Sequence, residues 1–146
     1  MIAHKLASYK NATSTVQKTK QIVLLYEAAI RFMQQARQAI EEEDYEARFN
    51  LLQKVSNILM GLHSGLDFDK GGEIAEMLSN FYSQIDLRIV GLNRTNDVAD
   101  LDDIINEIKQ MRDAWAEIDL KYSRGELEEN ATEPASSESE GADFNA

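Results

Sequence analysis

The sequence predicts an all-α fold, an antiparallel up-down-up-down four-helix bundle with a short N-terminal arm and a disordered acidic C-terminal tail. Three observations carry this. Four segments repeat apolar residues at steps of three and four, the period of a helix face. The links between them are only a few residues long, which sets sequential helices antiparallel. The 146 residues hold one proline and seven glycines, too few for an all-β chain of many tight turns. A long coiled-coil dimer is the alternative architecture.

The arm is residues 1–18, the bundle 19–122 and the tail 123–146. In the first bundle segment Ile22, Leu25, Ala29, Phe32, Ala36 and Ile40 form the stripe, and Val23, Tyr26, Ile30 and Met33 widen it. Ser14 and Gln17 have capping-box spacing. The run Glu41 to Asp44 ends the pattern, and Asp44 suits an N-cap. The second segment aligns Tyr45, Phe49, Leu52, Leu59, Leu62 and Leu66, with Leu51, Val55 and Ile58 as a neighbouring stripe. The third aligns Ile74, Leu78, Phe81, Ile85, Ile89 and Leu92. After the turn NRTND, where Asn96 or Asp97 can cap, the fourth aligns Leu101, Ile104, Ile108, Met111, Trp115, Ile118 and Tyr122. The tail is rich in acids, Ser and Ala, so it buries too little apolar surface to offset ordering entropy.

Composition excludes several functions. The net charge of −11 opposes nucleic acid, whose phosphates demand a basic face. Charge is also uneven: the first twenty residues hold four lysines and no acid, and residues 123–146 hold seven acids and one arginine. A basic arm can fold back onto an acidic body by simple attraction. No apolar run approaches the ~18 residues of a membrane span, so no stable membrane insertion is expected. The absence of cysteine fits a reducing cytoplasm.

Metal and catalytic readings fare poorly. LDFDKGGEIA (66–75) opens like a calcium loop, with Asp67, Asp69 and Gly72 at positions 1, 3 and 6. Position 5 is Gly71 and position 12 is Leu78, neither with a side-chain oxygen. A helix corner, with Gly71 and Gly72 reversing the backbone, is the better reading. The two histidines, His4 and His63, follow Met1 and Met60 by three, so neither forms the Glu-x-x-His pair of a di-metal bundle. No cofactor site and no catalytic residue is expected.

One feature exceeds what a simple bundle needs. Val23, Tyr26 and Ile30, and likewise Leu51, Val55 and Ile58, widen the apolar arcs of the first two segments. They either complete a broad core face or leave a groove open for a partner's amphipathic helix.

Three stretches resemble the flagellar secretion chaperone family FliS: LLYEAAIRFMQQARQAIEEEDYE (Leu24–Glu46), LDFDKGGEIAEMLSNFY (Leu66–Tyr82) and RDAWAEI (Arg112–Ile118). The likeness runs from residue 9 to about 120 in the same order and spacing. Tyr26-Glu27-Ala28-Ala29 stands where the family has Tyr-Asp-Gly-Ala. Val16-Gln17-Lys18-Thr19 replaces its usual Ser/Thr-Pro-Glu.

The resemblance implies a cytosolic chaperone rather than an enzyme. It would bind the C-terminal segment of flagellin in apolar grooves, prevent premature polymerisation and deliver flagellin to the flagellar type III export gate. It also implies that an N-terminal segment bearing a tyrosine covers part of the empty site. Tyr9 is the matching residue, flanked by Ile2 and Leu6. The alternative is a structural bundle that self-associates through an apolar groove, forming a homodimer when free.

Overall fold

The computed structural model of the protein describes residues 2–13 and 16–125; the side chains of residues 8–13, 16, 17, 122 and 123 lie outside that description. The Ser14–Gln17 box, the Tyr9 and Tyr122 side chains and the tail beyond Gly125 therefore fall outside it. The described residues form five helices: α1 (Ile2–Thr13), α2 (Val16–Glu41), α3 (Tyr45–Ser64), α4 (Phe68–Thr95) and α5 (Val98–Ser123). The expected all-α bundle is α2 to α5. The arm adds a helix of its own.

The packing order explains the wide apolar arc of α2. This helix lies between α3 and α5, while α3 continues to α4. A helix with two neighbours must bury more of its circumference than one facing stripe. Accordingly Val23, Tyr26, Ile30 and Met33 are buried beside Ile22, Ala29, Ala36 and Ile40. On α5 the whole stripe from Leu101 to Ile118 is buried. Each buried Leu or Ile contributes about 1.5–3 kcal/mol. Tyr45 and Phe49, placed on the core stripe by their spacing, are instead largely exposed on α3.

The corners are fixed by named caps. Asp44 Oδ1 accepts from the Ala47 amide at 3.1 Å and starts α3. Asn96, in the left-handed region at φ 51°, closes α4 by donating its amide to the Leu92 carbonyl at 2.9 Å. Asp97 Oδ1 then accepts from the Asp100 amide at 3.2 Å at the start of α5. The α3–α4 corner is longer than expected. It is built from Gly65–Asp67 and also from Gly72, where the helical backbone is broken. Gly65 closes α3, and Asp67 Oδ1 caps α4 by accepting from the Lys70 amide at 3.0 Å. Gly72, at φ 52° and ψ −124°, kinks α4 one turn later. Only glycine adopts that conformation without strain.

Candidate partner-binding seam

The helices α4 and α5 touch each other only lightly, because α1 lies between them and packs on both. At one end the pair is held by Arg88 of α4. Its Nη2 donates to Asp100 Oδ1 at 2.8 Å and its Nη1 to Glu107 Oε2 at 2.9 Å. Those charges, largest contribution first Asp100, hold the guanidinium above its ordinary pKa. Beyond this clamp the two helices part and α1 enters. Ile2, at the start of α1, lines a cavity of about 270 Å³ together with Phe81, Glu107, Gln110 and Met111. Leu6 is wholly buried, and Ile2, Ala3 and Ala7 pack on the core in part. The alanines let the α1 backbone come close, while His4 and Lys5 face outward.

The residues singled out by the sequence thus separate into three groups. Ile2 and Leu6 lie in the α4/α5 seam, and Tyr9 is on the same helix. Val23, Tyr26, Ile30 and Val55 are buried in the bundle core, so they line no open groove in this state. Leu51 and Ile58 are half-buried on the flank of α3. On the same helix the Lys54 ammonium stands 5.2 Å from the Phe32 ring centre on α2. Burial follows from α2 serving two neighbours, which the stripe alone could not distinguish from an open surface.

The outer α3/α4 face escaped the sequence reading. There the cross-links are polar. His63 Nε2 lies 2.8 Å from Ser79 Oγ, Ser56 Oγ donates to Asp86 at 2.6 Å, and Arg48 Nη1 donates to Asn96 at 2.6 Å. Exposed Phe49, Met60 and Val90 flank them. A hollow of about 210 Å³ opens beside Met60, His63, Tyr82 and Asp86. The available signal was the position of Met60 and Val90 off the main stripes; Phe49 stood on one and gave none. Among the described residues, no three His, Asp or Glu side chains gather as a metal site. The Asp67 carboxylate is taken up as a helix cap.

A buried aromatic cluster joins the three motif segments. Tyr26 of α2 and Tyr82 of α4 place their hydroxyls 2.8 Å apart, and Trp115 of α5 is buried with Tyr26. The Trp115 indole nitrogen is near enough to Tyr26 to offset part of the rise in its pKa, though it lacks hydrogen-bond geometry. One aromatic comes from each of the stretches 24–46, 66–82 and 112–118. A family sequence model described as Flagellar protein FliS matches residues 2–122. The chain belongs to the FliS family.

Curated relatives agree over most of their length. The chain is 33% identical over 110 residues to the flagellar secretion chaperone FliS of Campylobacter jejuni, covering 75% of this chain and 85% of that protein. It is 31% identical over 122 residues to the Salmonella typhimurium protein of the same name, covering 83% and 90%. The Vibrio cholerae FliS is 29% identical over 120 residues, covering 82% and 88%. The FliS match includes α1, so the helix in the seam is part of the family unit. It stops short of the acidic segment 126–146. None of the helices among the described residues is long and apolar enough to cross a membrane.

Proposed function

We propose that the protein is a cytosolic flagellar export chaperone that receives the C-terminal segment of flagellin as amphipathic helices, with the α4/α5 seam as one receiving site. The observation that carries this is the seam's present occupant, a helix of the chain's own. A cleft that closes around one amphipathic helix has the width and apolar lining to accept another. Leu6 is the occupant's one wholly buried large side chain among the described residues, worth about 1.5–3 kcal/mol. Ile2, Leu6 and Tyr9 in this reading form an exchangeable cap, and flagellin replaces it. Apparent affinity is then lowered by the fraction of time the seam is covered. Val23, Tyr26, Ile30 and Val55 act behind the site by fixing α2 and α3. Leu51 and Ile58 remain available on the α3 flank. Delivery to the export gate completes the role, and the protein works by binding, with no cofactor or catalytic step.

Titration calorimetry with a flagellin C-terminal segment tests this. The expected result is saturable binding at one to one, with heat-capacity change of negative sign from apolar burial. No binding at high micromolar protein overturns it. In the self-associating alternative, the free protein would instead sediment as a dimer and ignore the segment.

A further inference from the structure

We infer that the start of α2, with the arm before it, is a basic docking surface for the chain's own acidic segment 126–146. The register of α2 against α5 places the two together. Arg112 of α5 is 3.7 Å from Glu27, and Asp102 is 2.7 Å from Arg37. Both pairs have the same antiparallel offset. Carried to the helix ends, that offset sets Lys18 level with Lys121 and Lys20 level with Asp119. The first turns of α2 therefore lie beside the last turns of α5, where residues 126–146 begin.

The charges are complementary and unmatched. Lys5, Lys18 and Lys20 make no ion pair among the described residues. Lys121, at the same end, is already paired with Glu117 at 3.4 Å. Together with Lys10 these lysines stand in a twenty-residue stretch without an acid. Residues 126–146 carry seven acids and no basic residue, four of them in the first eight positions: Glu126, Glu128, Glu129 and Glu133. The rest of the body is net acidic, so this basic end is where such a segment is attracted.

Reach is no obstacle. A coil of 21 residues spans about 25 Å, and α1 is ~18 Å long. Tethering gives the segment an effective concentration of order millimolar, so individually weak charge pairs suffice. The contact favours α1 staying in the seam, because the same segment spans the arm and the start of α2. That consequence rests on the seam reading above; the contact itself does not.

The test uses the full chain without flagellin. The protein has no cysteine, so Ser137→Cys gives a single attachment point for a spin label. The expected result is paramagnetic broadening of backbone amides around Lys5, Lys18 and Lys20. It should fade in 1 M salt, where the screening length falls to about 3 Å. It should also fade when Glu126, Glu128, Glu129 and Glu133 are changed to Gln. In that variant amide exchange across Ile2–Thr13 should quicken by about two- to fivefold, the scale of exposed charge pairs. Broadening that is absent, or unchanged by the Gln substitutions, overturns the proposal. So does broadening seen only when labelled and isotope-enriched molecules are mixed, since that is contact between copies.

Discussion

The Tyr26 and Tyr82 hydroxyls meet at 2.8 Å in the bundle interior, joining α2 to α4 across its diagonal. Their rings are tilted at 58° with centres 6.4 Å apart. Burial first, then the neighbouring Tyr82, raise the Tyr26 pKa well above its ordinary value. Tyr26→Phe keeps the ring and removes the hydrogen bond. It should cost about 1 kcal/mol in urea unfolding at neutral pH. The sign of the pH effect follows from the raised pKa. Its stabilising contribution is complete below the unfolded-state phenol pKa of about 10 and is lost as pH rises from there through the folded value. The urea midpoint of the native protein should therefore fall above about pH 10 more steeply than that of Tyr26→Phe. Parallel alkaline limbs would refute the assignment.

Trp115 is 1% exposed and closes the same cluster from α5. Trp115→Ala removes its largest wholly buried side chain. The expected loss is about 3–5 kcal/mol, a drop of roughly 10 °C in melting temperature. A shift of a degree or less in calorimetry would place the ring outside the core.

Leu6 separates local from global stability. Leu6→Ala should release α1 while leaving α2 to α5 folded. Amide exchange across Ile2–Thr13 should quicken by more than tenfold, since even ~2 kcal/mol of lost anchoring exceeds a tenfold change. The α5 core amides should keep their protection. Equal acceleration in α1 and α5 would mean that the arm is integral to the bundle.

Gly72→Ala tests the kink alone. A Cβ placed there meets nothing within 4 Å, so only the backbone resists it. At φ 52° and ψ −124° the strain should be about 1–3 kcal/mol, read from chemical denaturation. Gly91→Ala, also with open space but without a positive φ, is the control and should be neutral or mildly stabilising.

Arg88→Met keeps the aliphatic stem and removes the bridge to Asp100 and Glu107. Its side chain is 26% exposed, so the loss should be near 1 kcal/mol and smaller in high salt. A loss independent of salt would point to packing instead of charge.

Helix faces were legible wherever one stripe met one neighbour. The α5 stripe from Leu101 to Ile118 was read correctly because each step of three or four stayed on a single buried face. The arc of Val23, Tyr26 and Ile30 was ambiguous, since a second packing partner and an open groove leave the same pattern. The α3–α4 corner offered Gly65, Asp67, Gly71 and Gly72 in eight residues, more stop and start signals than one turn uses. Gly65 stops α3, Asp67 caps the first turn of α4 and Gly72 breaks the helix after it. The docking place of α1 could not be read at all. It depends on the gap between α4 and α5, a distance that periodicity within one helix does not encode. Tyr26, Tyr82 and Trp115 were individually conspicuous, but only the packed bundle brings them together.

The Arg88 clamp makes the seam a one-ended hinge. Near Asp100 and Glu107 the two walls are tied directly to each other, and farther along they meet through α1. In the function proposed above, a helix that replaces α1 would find the width of the seam already set at the Arg88 end, while the polar His63–Ser79 and Ser56–Asp86 cross-links tie α4 to α3.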